Sequence, residues 1–181
     1  MKLYLYSLVF LVSAAVASAM PVDNKPLPVV PAVDLGRYSG VWYEIAKYPN
    51  RFQKSCVSEV SATYTLIKDR EISVVNKCRK ANGEMKTARG KARLADKDGP
   101  TSKLEVRFAP SWLSWLPQVW GDYWVIDLAP DYSYSVIGTP DRKYLWILSR
   151  TPEMDETTYR NILQKVETLD FEPGKLVRTR Q

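Results

Sequence analysis

Gly40-Val41-Trp42-Tyr43-Glu44-Ile45-Ala46 is the most telling segment of the chain. A glycine turn delivers a tryptophan into an alternating segment. About a hundred residues later a second apolar stretch, Tyr144-Leu145-Trp146-Ile147-Leu148-Ser149, closes on Arg150. Side chains alternate across a strand, so each stretch has one face for an interior and one for its surroundings. Alone, a tryptophan anchors many cores and a strand-ending arginine is ordinarily solvated. The two gain meaning from what lies between them.

Period-two alternation predicts strands at 42–48, 59–66, 72–79, 85–94, 103–108, 123–128, 134–137 and 144–149. Turn signals such as Asn82-Gly83, Asp98-Gly99-Pro100, Pro130-Asp131 and Pro140-Asp141 separate them. Short links between sequential strands make an antiparallel meander, and closing it at eight strands removes the exposed edges. The chain is therefore expected to be all-β, an eight-stranded antiparallel up-and-down barrel wide enough to hold one small ligand. After it, Tyr159, Ile162, Leu163, Val166 and Leu169 recur at helical spacing. They predict one C-terminal helix over 155–168, capped by Asp155, stopped before Pro173-Gly174 and packed on the outside of the barrel.

Lys2, the apolar run from Leu3 to Val12 and Ala17-Ser18-Ala19 read as a secretory signal peptide over 1–19. A membrane span needs about 18 to 20 continuous apolar residues, and Ser7 and Ser13 interrupt a shorter stretch. No cysteine follows the run for lipid attachment, so the expected location is secreted or periplasmic. Residues 20–33, with Pro21, Pro26, Pro28 and Pro31, form an extended tail or a strap across the barrel end, and 34–181 form the barrel domain. The remaining ~160 residues fit one domain.

The formal net charge of +6 includes Lys2. The basic residues of Lys86-Thr87-Ala88-Arg89-Gly90-Lys91-Ala92-Arg93 alternate with small ones on a solvent face instead of forming a dense stripe beside stacking aromatics, so no nucleic-acid partner is expected. Weak attraction to anionic membrane surfaces is consistent with this charge.

In order along the chain, Gly40 to Ala46, Ala62-Thr63-Tyr64, Val75-Asn76, Tyr123-Trp124-Val125-Ile126, Asp141-Arg142 and Tyr144 to Pro152 resemble the lipocalins over about residues 34 to 178. The likeness is greatest to the bacterial outer-membrane lipoprotein branch, with apolipoprotein D-like and plant temperature-induced members as relatives. It implies an extracytoplasmic carrier that binds, transports or stores a hydrophobic small molecule, a fatty acid or lysophospholipid, in membrane maintenance or stress response. No cofactor and no metal are implied, and the oligomeric state is left open.

In an up-and-down meander the eighth strand returns to the end from which the first departs. Trp42 and Arg150 then meet, with Gly40 beside them, and stack guanidinium on indole to plug the closed end, as in the family. The same parity turns Ala88, Gly90, Ala92 and Leu94 inward, opposite Leu104, Val106 and Phe108. Family positions that face ligand fall on Tyr64, Asn76, Phe108, Tyr123 and Trp146, and Val74 and Val106 share their face. Tyr64 and Asn76 would supply hydrogen bonds and the rings flat apolar walls. The plain alternative is that these side chains fill the barrel.

Three tryptophans, Trp112, Trp115 and Trp120, stand in the link between strands five and six. The link is read as a lid over the mouth or as an apolar patch in transient contact with a membrane surface, against ordinary packing on neighbouring loops. Cys56 and Cys78, the only cysteines, share inward parity near the open end and are expected to form a disulfide in an oxidising compartment.

Two other functions stay open. The chain has no histidine, which excludes a Ser-His-Asp or Cys-His arrangement, but a thiol-dependent lipocalin enzyme would need only a free cysteine with Lys54, Lys77 or Arg79 as a cationic neighbour. A protein-interaction module would use the Trp-rich loop as a docking patch.

Overall fold

The computed structural model describes residues 25–181 except residue 69. The leader expected at 1–19 lies outside them. A helical turn, α1 (Leu35–Tyr38), leads into β1 (Gly40–Lys47), β2 (Cys56–Lys68), β3 (Glu71–Lys80), β4 (Met85–Leu94), β5 (Lys103–Arg107), β6 (Gly121–Leu128), β7 (Tyr134–Gly138) and β8 (Leu145–Ser149). Helix α2 (Glu156–Glu167) and the two-residue β9 (Val177–Arg178) follow. From β1 to β8 each strand pairs antiparallel with the next, and β1 pairs with both β2 and β8, so these eight strands close on themselves. Strand β9 bonds to Ala46 and Lys47, beyond the stretch of β1 that pairs with β2.

Alternation sorts the apolar residues into two cores, one on each side of the wall. Inside the barrel are Trp42, Ala62, Tyr64, Ile72, Val74, Ala92, Leu94, Leu104, Val125, Ile137 and Leu148. Outside, Ile45, Ala46, Ile126, Val136, Leu145 and Ile147 meet Tyr159, Ile162 and Val166 of α2. Full burial of each such side chain is worth about 1.5–3 kcal/mol, which explains why a 12-residue helix stays docked. Its start is fixed by Asp155, whose carboxylate accepts from the Thr158 amide at 2.8 Å.

An irregularity in β1 alters its inward set. Strand β1 bulges against β8 between Glu44, opposite Leu148, and Ala46, opposite Ile147. The extra residue, Ile45, joins Ala46 in the outer core, and Lys47 lies opposite the inward Trp146. A β-bulge resets the alternation in this way.

The proline-rich segment is a strap, and its course differs from a simple crossing of the barrel end. Within the described residues, the Lys25 carbonyl accepts from Arg142 in the β7–β8 link, and Leu27 joins the outer core. The Val30 amide bonds to Val125, and Val33 enters the inner core from the closed end. Residues 27 to 33 are thus packed parts of the fold.

Candidate functional site

The closed end is built around Trp42, which is fully buried. Its indole Nε1 donates to the Tyr38 carbonyl at 2.8 Å, and the Arg150 guanidinium carbon lies 3.8 Å from the ring centre. Arg150 Nη1 donates to the Val41 carbonyl at 3.0 Å and Nη2 to the Arg37 carbonyl at 2.6 Å. Gly40 has φ +106°, a backbone conformation that favours glycine, and a Cβ there would crowd Arg150 Nη1 at 3.1 Å.

Above the plug lies a layer of hydroxyls. Tyr123 bonds Tyr38 at 2.8 Å and Tyr64 at 3.0 Å, and Tyr38 reaches Ser135 at 3.0 Å. Burial pushes the Tyr38 phenol up to about 12, and it raises Tyr64 and Tyr123 further. All three are neutral hydrogen-bonding groups at ordinary pH. They form a polar floor one layer above the Trp42 plug.

Toward the mouth the interior opens. Asn76, Ala88, Gly90, Val106 and Trp146 are half-buried, and Phe108 is 43% exposed. The Phe108 ring lies over Gly90, where a Cβ would come within 2.7 Å of it and within 2.5 Å of the Arg107 carbonyl. Asn76 Oδ1 is buried without a protein partner. On the opposite wall, Gln53 of the β1–β2 link donates to Glu44 at 2.6 Å and accepts from Trp146 Nε1 at 3.1 Å. Glu44 also pairs with Lys47 at 2.8 Å and accepts from Thr179 at 2.6 Å. The inner wall near the mouth is thus partly exposed and largely apolar above the phenolic floor, with one unpartnered amide oxygen and one compensated ion pair in it.

The description "Lipocalin-like domain" belongs to a family model that matches residues 33–181. The chain is a member of the lipocalin family. This lipocalin is 42% identical over 160 residues to temperature-induced lipocalin-1 of Arabidopsis thaliana, an alignment covering 88% of this chain and 85% of the relative. It is 32% identical over 167 residues to the outer membrane lipoprotein Blc of Escherichia coli K12, covering 92% and 89%. Rat apolipoprotein D is 31% identical over 158 residues, covering 82% and 77%. Among solved structures, insecticyanin from the tobacco hornworm Manduca sexta superposes with a TM-score of 0.68 at 22% identity, covering 87% of this lipocalin and 85% of that chain. That last likeness concerns the fold alone.

Of the residues singled out from sequence, Trp42, Arg150 and Gly40 come together at the closed end of this lipocalin. Tyr64 and Tyr123 meet hydroxyl to hydroxyl, deep in the barrel, with Val74 fully buried in the same core. Asn76, Val106, Phe108 and Trp146 are spread around the upper wall, and Trp146 stacks on Tyr144 at 5.8 Å. Cys56 and Cys78 are joined in a disulfide with Cα atoms 5.5 Å apart. Sequence reasoning missed Tyr38, Lys47, Gln53 and Ser135. The one available signal was the short β1–β2 link, whose Asn50 accepts from the Phe52 and Gln53 amides and turns Gln53 toward the barrel.

The Trp-rich link does not act as a unit. Trp112 and Trp115 are 72% and 75% exposed. Trp120 is half-buried on the outer wall, with the Arg93 guanidinium 3.9 Å and the Arg107 guanidinium 5.2 Å from its ring centre. Two single turns, Ser111–Leu113 and Pro117–Val119, shape the link between them. Among the described residues there is no group of three metal-ligating side chains and no helix long and apolar enough to cross a membrane.

Proposed function

We propose that this lipocalin binds a single-chain lipid, a fatty acid or lysophospholipid, in the upper barrel and carries or stores it outside the cytoplasm. Membrane maintenance under stress is the setting we assign to it. The observation that carries the reading is the accessible apolar wall of Ala88, Gly90, Val106 and Phe108 above a floor of mutually bonded phenols. An acyl chain removed from water gains about 0.8 kcal/mol per buried methylene. The polar end would remain near Asn76, Gln53 and Trp146. A catalytic role has no support from the thiols, since Cys56 and Cys78 are tied to each other. Trp112 and Trp115 supply the contact through which lipid would pass from a membrane surface, as exposed indoles favour the interface.

Native mass spectrometry of the protein purified without detergent tests this reading. A bound species released as a single-chain lipid supports it, and its loss in a variant that fills the cup locates it. A mass equal to the processed chain alone, before and after incubation with lysophospholipid and fatty acid, overturns it.

A further inference from the structure

Arg107 points outward from β5, where a charged side chain is ordinarily solvated. It is only 5% exposed. Its Nη1 donates to the carbonyls of Ala109 and Pro110 at 2.9 and 2.6 Å, and its Nε has no partner. No carboxylate pairs with it among the described residues. A cation withdrawn from water without a counter-charge is unfavourable unless something supplies one.

Beside it runs a cleft of about 720 Å³ between the Trp-rich link and the outer wall, lined by Arg70, Lys91, Arg93, Lys97, Arg107 and Trp120. Five cations line it; Lys91 is paired with Glu71 and Arg93 with Glu105, which leaves Arg70, Lys97 and Arg107 without a carboxylate partner among the described residues. The cleft is held in shape. Trp120 Nε1 donates to the Ser114 carbonyl at 2.9 Å while its ring faces Arg93 and Arg107. Arg70 donates to the Lys97 carbonyl at 3.1 Å, which draws those two chain segments together.

We propose that this cleft binds a phosphate-bearing anion, at a site separate from the barrel cup. A phosphate presents several strong acceptor oxygens and more charge than a carboxylate, and guanidinium groups match its geometry. The phosphate comes from a lipid headgroup or from a soluble ester. Trp112 and Trp115, exposed on the link that borders the cleft, favour a headgroup at a membrane surface. The site is distinct from the barrel interior, because the cations of Lys91, Arg93 and Arg107 are on the outer side of the wall and Arg70 and Lys97 stand in the links at its end.

The test uses the full mature chain and a double variant, Arg93→Gln with Lys97→Gln, both at exposed positions whose replacement leaves the cores intact. One arm follows the Trp120 indole N–H by NMR during titration with glycerol 3-phosphate at constant ionic strength. The other measures co-sedimentation with phosphatidylcholine vesicles with and without phosphatidic acid. The expected result is a saturable Trp120 shift or a selective gain on phosphatidic acid, weakened at least about tenfold in the double variant. Binding of a fluorescent fatty acid to the barrel should be the same in both proteins. A response to vesicles alone assigns the headgroup, and a response to the soluble ester alone assigns a free phosphate; either sustains the site. Equal behaviour of the two proteins in both arms, or no response in either, overturns it. A third variant, Arg107→Gln, should lose the same response, and retention of full binding there contradicts the role given to the buried guanidinium.

Discussion

The guanidinium of Arg150 covers the indole of Trp42 at 3.8 Å and holds the carbonyls of Val41 and Arg37. One side chain at the end of β8 therefore ties the start of β1 to the turn α1 before it. Replacing Arg150 with Ala removes a cation–π contact worth about 0.5–2 kcal/mol and leaves two carbonyls to water, so the unfolding free energy should fall by about 1–3 kcal/mol. Arg150→Lys should recover only part of this, because an ammonium cannot span both carbonyls while lying flat on the ring. Urea unfolding checks both, with a shifted midpoint and an unchanged slope expected.

Alkali should unfold the protein through its interior phenols. Tyr38 ionises at 10.0 when unperturbed and at about 12 in the fold, mainly because burial disfavours phenolate. Where the folded chain keeps a proton that the unfolded chain releases, stability falls as pH rises. It should be intact below pH 10.0 and decline as pH climbs toward about 12. Tyr64 and Tyr123 add to this decline in the same direction. Tyrosinate absorbance and circular dichroism followed together should show late-ionising phenols appearing with the loss of structure. Complete ionisation near pH 10 with the fold retained would refute the phenolic floor.

The disulfide joins β2 to β3 across 22 residues of chain. In the chain-entropy model a loop of this size contributes about 3 kcal/mol. The double variant Cys56→Ser with Cys78→Ser should lose about that much in denaturant unfolding, and wild type treated with reductant should move toward it.

Trp112 and Trp115 touch little of the body, so replacing both with Ser should leave the thermal midpoint within about 1 °C of wild type. Ligand transfer from vesicles should slow in the same variant, read by stopped-flow fluorescence. Unchanged transfer rates would remove the membrane-contact role from the Trp-rich link.

How much of this was legible in the sequence depended on whether alternation held. It held for β4 and β5, where Ala92, Leu94 and Leu104 are buried in the inner core, and for α2, whose Tyr159, Ile162 and Val166 are buried as their spacing predicts. It failed at β1, because the bulge between Glu44 and Ala46 resets the inward positions and brings Lys47 beside Glu44 and Gln53. Tyr38, central to the phenolic floor, sits on a four-residue turn too short to show a period. Arg107 obeys its outward parity, and only the long-range fold-back of the Trp-rich link buries it. Strand β9 has two residues and follows from nothing local; its position is set by the gap where β1 leaves β2.

Titrating a polarity-sensitive fluorescent fatty acid into wild type and into Ala88→Trp asks whether a lipid is held above the phenolic floor. The added indole would occupy the half-buried inner wall beside Gly90. Saturable binding of one fatty acid per wild-type chain is expected, with a Kd of about micromolar order, and most of that binding should be lost in the variant while the thermal midpoint is kept. Equal binding by the two proteins, or no saturable binding by wild type, would contradict a lipid held above that floor.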